Sequence, residues 1–324
     1  MEISCGIAPS PKTTELAKLA ENLGYDRVWL FDSAAVYEDV WMHLALCAKA
    51  TERVGLGTAV LVPHLRHVMA TASAVATMES LAPGRLALGF GTGASARWCL
   101  GQPALSWNYL ITYIEQLRGL LRGEVVTVDG QPCQMMHFRT TVERPIEVPI
   151  LISAMGPKGQ KLTQEHADGI FGIGGGDFSM DWQVQMANGT VLDEGEELSD
   201  ERVKLALGPW YLMMYHGAYQ TDPAAADGLP GGAQWREKLE AERPEGERHL
   251  VVHEGHVTEV TDRDMALIDA AGDMIGALSW VGSAEEMREK AAEAAAGGTT
   301  ELLYTPAGPD VARELRAVAE ALIS

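Results

Sequence analysis

Basic residues are scarce in this chain, and they form no run. Lys and Arg together number 25, against 45 Asp and Glu, which gives a formal net charge of -20 over 324 residues. Binding to nucleic acid or to an anionic membrane requires a basic patch strong enough to overcome such a field. We therefore expect neither kind of partner.

Cysteines are few and scattered. The four are Cys5, Cys47, Cys99 and Cys133, and they form no Cys-x-x-Cys pair. A disulfide framework or a cysteine zinc site needs patterned cysteines, so neither is expected, and a reducing cytoplasm fits best.

Long apolar runs are missing too. The sequence contains no run of about 18 apolar residues, which is the length needed to span a bilayer. Residues 1–6 have neither a basic region nor a long apolar core. We therefore expect no membrane span, no signal peptide and a cytoplasmic location.

Three common catalytic signatures are also absent from the sequence. They are the Gly-x-Ser-x-Gly elbow of serine hydrolases, the Gly-Lys-Ser/Thr P-loop and the His-Glu-x-x-His motif of zinc proteases. Their absence disfavours these three enzyme classes.

What the chain does contain is a regular alternation of strand and helix patterns. Short apolar runs such as residues 28–31 are typical of parallel strands buried on both faces. Strands are predicted at residues 3–8, 28–31, 54–62, 85–89, 149–154, 169–172 and 300–304, with another inside 205–215 and a hairpin arm at 125–130. Helices are predicted from Ser10 and Pro11 to Leu23 and at 41–50, 67–80, 107–121, 158–166, 284–296 and 310–323.

About eight strand–helix units favour an α/β fold closed as a (β/α)8 TIM barrel, with residues 1–324 as a single barrel domain. An open, doubly wound sheet remains the alternative. Residues 217–262 do not fit the alternation and are interrupted by Gly and Pro clusters. Long loops of this kind are often lids, so we expect an insertion over the active-site face.

Three loop segments carry candidate binding residues. Asp32 ends an apolar strand, Gly89-x-Gly91-x-Gly93 follows another, and Gly156-Pro157-Lys158 begins a helix whose free N–H groups attract anions. Each segment also has a simpler interpretation. Asp32 could be a helix cap, the glycine-rich segment a flexible turn, and Lys158 an ordinary solvated lysine at a helix start. The glycine spacing is not that of the Rossmann motif, which disfavours an NAD(P) dehydrogenase on an open sheet.

Two histidine pairs, His64-x-x-His67 and His253-x-x-His256, have the spacing of metal ligands. Neither has a convincing Cys or carboxylate partner set, and Pro or Gly nearby disrupts the helix. We therefore expect no metal and interpret each histidine as a surface residue. Because His253 and His256 lie in the predicted lid, a substrate or proton-transfer role is the better functional alternative for them.

Four segments together resemble the bacterial luciferase-like superfamily of flavin- and deazaflavin-dependent oxidoreductases. They are residues 20–32, 54–63, 80–93 and 148–169, and the tail segments 281–286 and 308–310 are similar as well. The Gly-Pro-Lys segment is most similar to the branch that includes methylenetetrahydromethanopterin reductase, which uses coenzyme F420.

This resemblance implies a TIM barrel with the cofactor, F420 or alternatively FMN, at the carboxyl ends of the strands. It implies that a non-proline cis peptide at Ala59–Val60 bulges from the third strand and backs the deazaflavin ring. The cofactor-binding residues that it implies are Asp32, Ala59, Val60, Thr92, Gly93, Ala154, Gly156, Pro157 and Lys158.

The sequence also departs from the pattern of this superfamily at two positions. Sugar-phosphate dehydrogenases of this superfamily carry a His after the strand-two Asp and a Glu after Gly-Thr-Gly, whereas this chain has Ser33 and Ala94. We therefore expect an F420-dependent oxidoreductase that transfers a hydride between the deazaflavin C5 and a small organic substrate other than a sugar. The candidate catalytic residues are Asp32, Ser33, His64, His253 and His256, and the last four of them are the candidate proton donors.

Two other functions remain open on the same barrel. One is an FMN-dependent monooxygenase that uses oxygen and reduced flavin from a partner reductase, and the other is a non-catalytic flavin-binding protein. The resemblance further implies a homodimer and a partner flavin or F420 reductase.

Overall fold

The computed structural model describes residues 1–137, 142–173 and 178–323. Within these ranges the strands are β1 Glu2–Ile7, β2 Arg27–Leu30, β3 Gly55–Leu61, β4 Leu86–Phe90, β5 Val126–Val128, β6 Gln131–Cys133, β7 Ile150–Ser153, β8 Gly169–Ile173, β9 Gln183–Val191, β10 Trp280–Gly282 and β11 Glu301–Thr305. The helices are α1 Thr13–Leu23, α2 Val40–Ala50, α3 Val68–Leu81, α4 Ala94–Trp98, α5 Trp107–Arg122, α6 Pro157–His166, α7 Glu201–Tyr211, α8 Met213–Thr221, α9 Gly232–Glu242, α10 His249–Val252, α11 Met265–Ala270, α12 Ala284–Ala296 and α13 Val311–Leu322.

Eight of these strands form a closed parallel barrel. They follow one another in the order β1, β2, β3, β4, β7, β8, β9 and β11, and β11 pairs with β1 to complete the ring. The predicted TIM barrel is therefore confirmed, and the open-sheet alternative is wrong because the sheet has no free edge between β8 and β11. Among the described residues the short β10 pairs with β9 alone, outside the ring, and β5 and β6 form the predicted hairpin arm.

Strand β2 shows why the barrel strands are apolar on both faces. Val28 and Leu30 pack in the cluster that lies beneath the surrounding helices, whereas Trp29 packs in a cluster made of strand residues. The Trp29 ring meets the Phe171 ring edge to face, with 4.9 Å between centroids. Alternate residues thus face the helices and the barrel interior, and both positions exclude water.

One predicted strand is wrong and one real strand is missing from the prediction. Residues 205–215 lie in α7 and α8, because a continuous apolar run suits a buried helix as well as a buried strand. The strand that completes the barrel is β9, whose sequence Gln183-Val184-Gln185-Met186 mixes polar and apolar residues. The first helix begins at Thr13, since Ser10 lies in the preceding turn and its hydroxyl accepts a hydrogen bond from the Lys12 N–H.

Between β9 and β10 the chain forms a helical region, residues 201–276, with a hydrophobic cluster of its own. Leu207, Tyr211, Tyr215 and Trp235 are buried in this cluster. The predicted insertion at 217–262 lies inside the helical region, which begins earlier, at Glu201. Among the residues that the structure describes, none of the helices has both the length and the apolarity required to cross a membrane.

Candidate functional site

A cavity of about 390 Å³ opens where the barrel strands end. The loops after β2, β4 and β7 surround it, β3 and β8 supply Val60 and Phe171, and the helical region supplies Trp210, Met213 and Val257. Active sites of TIM barrels lie at this carboxyl end of the strands. The cavity is therefore the candidate functional site.

The wall of the cavity on the β3 side contains an irregularity of the backbone. The peptide bond between Ala59 and Val60 is cis, and the pairing register between β3 and β4 shifts between Thr58 and Leu61. The cis bond expected at this position is confirmed. Ala59 and Val60 both border the cavity.

The glycine-rich loop after β4 lies against this irregular stretch of β3. A Cβ built on Gly91 would come within 2.6 Å of Val60 Cγ2, and Gly93 has a φ of +78°, which disfavours other residues. Gly91, Thr92 and Gly93 all border the cavity. The glycines are thus required for close approach of two chain segments and are not merely a flexible turn.

Asp32 is held at the end of β2 by an arginine that no sequence motif singled out. Its Oδ2 accepts a hydrogen bond from Arg66 Nη1 at 2.8 Å, and Arg66 Nη2 donates to Asp39 Oδ2 at 2.8 Å. Burial raises the pKa of Asp32, whereas the hydrogen bond and charge of Arg66 oppose that shift. Asp32 is not a helix cap, because α2 is capped by Asp39. The only sequence signal for Arg66 was its place between His64 and His67.

The four candidate proton donors separate into two groups. Ser33 and His256 border the cavity, while His64 and His253 do not. His253 and His256 are 3% and 7% exposed, so their interpretation as surface residues is wrong. Burial lowers the pKa of His256 to about 4, which keeps its imidazole neutral near pH 7.

The Gly156-Pro157-Lys158 segment lies at the rim of the cavity. Gly156 borders the cavity, Pro157 begins α6, and Lys158 is exposed to solvent. Ala154 is buried and does not border the cavity. The first turn of α6 therefore presents free N–H groups, with an unburied lysine beside them.

Several cavity residues escaped prediction because they come from distant parts of the chain. Trp210 and Met213 lie in the run wrongly assigned to a strand, and Met186 lies in the unpredicted β9. Tyr37 donates a hydrogen bond from its hydroxyl to the carbonyl oxygen of His256 at 2.6 Å. That bond joins the loop after β2 to the helical region at the cavity.

Comparison with known proteins gives a family match over most of the chain. The family model described as luciferase-like monooxygenase matches residues 6–301. A 5,10-methylenetetrahydromethanopterin reductase from Methanolobus tindarius is 34% identical over 166 residues, which is 50% of each chain. An F420-dependent glucose-6-phosphate dehydrogenase from Beutenbergia cavernae is 36% identical over 166 residues, or 47% of this chain and 49% of the relative. The chain thus matches about half the length of these relatives.

The fold also resembles that of a solved structure over nearly its whole length. The coenzyme F420-dependent tetrahydromethanopterin reductase from Methanopyrus kandleri superimposes with a TM-score of 0.68, covering 99% of this chain and 98% of that one. The two sequences are 17% identical, so this similarity describes the fold.

Proposed function

Since the chain belongs to the luciferase-like monooxygenase family, we propose that it is an F420-dependent oxidoreductase that transfers a hydride between the deazaflavin C5 and an apolar organic substrate. The observation that carries this proposal is the cavity between the Ala59–Val60 bulge and the helical region. The F420-dependent relative adds support for this cofactor.

The residues around the cavity fit a planar tricyclic ring. The Ala59–Val60 bulge offers an apolar surface on one side, and Gly91 and Gly93 let the loop after β4 approach this stretch closely, because a Cβ on either glycine would collide with Val60 or Val62. Trp210 and Met213 offer apolar surface from the helical region. When bound, the deazaflavin would supply the hydride-transfer chemistry. The protein would orient the ring and keep water from it.

We assign the anionic tail of the cofactor to the rim of the cavity. The first turn of α6 offers free N–H groups and the positive end of the helix dipole, and Gly156 leaves open space in front of it. Lys158 is exposed and adds a mobile positive charge. Phosphate and carboxylate groups are the ligands that such a helix start attracts.

The polar groups that face the proposed substrate are few. Ser33 and Ala94 both border the cavity, at the positions where sugar-phosphate dehydrogenases of this family carry the acid–base pair. Most of the remaining lining is apolar, including Phe31, Phe171 and Met186. A sugar phosphate would leave its hydroxyl groups without partners there, so an apolar substrate is preferred.

Of the four candidate proton donors, Ser33 and His256 border the cavity, and we propose that they hold or move a proton beside the reacting carbon of the substrate. The Ser33 hydroxyl can donate and accept, and the imidazole of His256 is neutral near pH 7. We propose that these two side chains orient a heteroatom of the substrate. We also propose that the helical region acts as the lid and that the protein is a homodimer, which light scattering would test.

The first test is the choice of cofactor. Trp107 and Trp210 border the cavity, so quenching of tryptophan fluorescence reports on its occupation. F420, FMN and NADPH would be added separately to the purified protein. We expect F420 to bind at least tenfold more tightly than FMN, with no binding of NADPH.

Each other outcome contradicts the proposal in a different way. A preference for FMN would support the oxygen-using monooxygenase instead. Binding of neither cofactor would limit the family resemblance to the fold. Tight F420 binding without oxidation of reduced F420 by any member of a panel of apolar ketones, imines and activated alkenes would support a non-catalytic binding protein.

A further inference from the structure

Three histidines that are separated in the chain meet inside the helical region. His216 lies on α8, His253 directly follows α10, and His256 lies in the turn beyond it. The three side chains, called here the histidine triad, are 2%, 3% and 7% exposed. Polar side chains buried to this extent normally have defined hydrogen-bond partners.

The distances within the histidine triad match those of ligands around a single ion. The ring centroids are 5.5 Å apart for His216 and His253, 5.5 Å for His253 and His256, and 5.8 Å for His216 and His256. Three imidazoles on one tetrahedral zinc ion, each at a Zn–N distance of about 2.0–2.1 Å, have centroids roughly 5 Å apart. One ring nitrogen from each histidine already lies within 4.8 Å of the other two.

Five of the six ring nitrogens of the triad have no partner among the residues that the structure describes. In the described part of the chain, Nδ1 and Nε2 of His216 and His253 and Nδ1 of His256 are buried without a hydrogen-bond partner. Leaving buried polar atoms unpaired is costly, and native structures do so rarely. A metal ion that accepts a lone pair from one nitrogen of each ring would satisfy three nitrogens at once.

Two tryptophans fix the orientation of the rings. Trp98 stacks on His253 with 5.9 Å between centroids, and Trp235 stacks on His216 with 6.2 Å. Trp235 is itself anchored, because its Nε1 donates to Asp264 Oδ1 at 2.6 Å. These stacking contacts hold two of the three rings in place.

The charge around the triad is compatible with a cation. Arg263 is the neighbouring positive group, and it is paired with Asp264 at 3.0 Å and with Glu242 at 3.2 Å. The formal net charge of the whole chain is -20. Burial lowers the pKa of all three imidazoles and keeps them neutral, which is the form that binds metals.

We propose that His216, His253 and His256 form a binding site for one divalent transition-metal ion of the zinc type. No metal was expected from the sequence because the third ligand lies on α8, far from the His253-x-x-His256 pair. His256 and Val257 also border the cavity, so the ion would fix this wall of it. Metal binding at the triad does not depend on which cofactor the cavity takes.

The test measures metal content directly. The full chain would be treated with EDTA, incubated with Zn²⁺, freed of unbound metal by gel filtration and analysed by mass spectrometry of the metal. We expect about one Zn²⁺ per chain and a rise in the unfolding temperature of a few degrees, because a ligand that binds only the native state stabilises it. Co²⁺ in place of Zn²⁺ should show the visible absorption bands of a four-coordinate ion.

Variants locate the site. His216→Asn and His253→Asn should each lose the bound Zn²⁺ and the visible Co²⁺ bands. His249→Asn is the matched control, since His249 belongs to the same segment but lies outside the triad, and it should keep both. Circular dichroism in EDTA would show whether each variant is folded.

Two results would overturn the proposal. One is a wild-type protein that retains no Zn²⁺ after gel filtration and gives no visible Co²⁺ bands. The other is Zn²⁺ that persists unchanged in folded His216→Asn and His253→Asn proteins, which would indicate adventitious surface binding. If both variants fail to fold, the Co²⁺ spectrum of the wild-type protein alone decides.

Discussion

Asp32 and Arg66 form an ion pair at the carboxyl end of the barrel, with 2.8 Å between Asp32 Oδ2 and Arg66 Nη1. Only 2% of the Asp32 side chain and 17% of the Arg66 side chain are exposed. The pair joins the loop after β2 to the chain after β3, and Asp32 also borders the cavity. A buried carboxylate held in this way is both part of the fold and a fixed negative charge at the candidate site.

Replacement of Arg66 by methionine should destabilise the protein strongly. The variant leaves the Asp32 carboxylate buried without its partner, which typically costs about 3–5 kcal/mol. Denaturant unfolding would measure the loss. The double variant Asp32→Asn/Arg66→Met should recover part of it, because the uncompensated charge is gone. If the Arg66→Met variant loses less than about 1 kcal/mol of its free energy of unfolding, water already solvates the pair.

Gly156→Ala should weaken F420 binding without changing stability. A Cβ at Gly156 meets no atom within 4 Å, and its φ of -108° is open to any residue. The methyl group would nevertheless occupy the space assigned to the cofactor tail, and we expect a loss of affinity of about tenfold, or ~1.4 kcal/mol. Fluorescence titration would measure it.

Gly246→Ala is the control for that substitution. A Cβ built on Gly246 likewise meets no atom within 4 Å, and this glycine does not border the cavity. Equal F420 affinities for the Gly156→Ala, Gly246→Ala and wild-type proteins would remove Gly156 from the proposed binding site.

Lys158→Gln should reduce F420 affinity in a manner that depends on salt. The lysine is exposed, so its attraction for an anionic tail is screened and amounts to about 0.3–1 kcal/mol at low ionic strength. Lys161→Gln on the same helix is the control, because Lys161 is 77% exposed and pairs with Glu165. The F420 affinities of the two variants should differ in low salt and become equal in high salt. Identical affinities in low salt would contradict a role for Lys158.

Glu196→Gln should remove a pH-dependent part of the stability. Arg202 Nε donates to Glu196 Oε1 at 2.6 Å, and this bond is the main cause that lowers the pKa of Glu196 from 4.5 to about 2. Because the pKa is depressed in the folded state, the contribution is complete above the unfolded value of 4.5 and is lost as the pH falls through about 2. At neutral pH we expect a loss of about 1.5–3 kcal/mol in the variant.

Urea unfolding of wild-type and Glu196→Gln proteins between about pH 7 and pH 2.5 would measure this difference. The difference between their free energies of unfolding should become smaller as the pH falls. Glu124→Gln is the control, since Glu124 also pairs with an arginine, Arg122, but lies in solvent, where an ion pair contributes little. A difference in free energy of unfolding that stays constant across the pH range would assign the effect to packing, because it would not follow the ionisation of Glu196.

The sequence by itself determined the barrel and the loops that surround its carboxyl end. Short apolar runs such as Val28-Trp29-Leu30 form strands buried on both faces, and the loops after them carry Asp32, Thr92 and Gly156 to one edge. These features can be predicted from short stretches of sequence, because strands and helix caps depend on neighbouring residues. The resemblance to a known family added the cis bond at Ala59–Val60.

The tertiary structure alone decided which distant residues meet. Strand β9 lacks an apolar run, and the run at 205–215 is a buried helix, so periodicity assigned both incorrectly. Arg66 pairs with Asp32, and His216 meets His253 and His256, across chain separations that no local pattern encodes. Burial and partner choice at these sites arise from packing of the whole chain, and they decide the charge and coordination chemistry of each side chain.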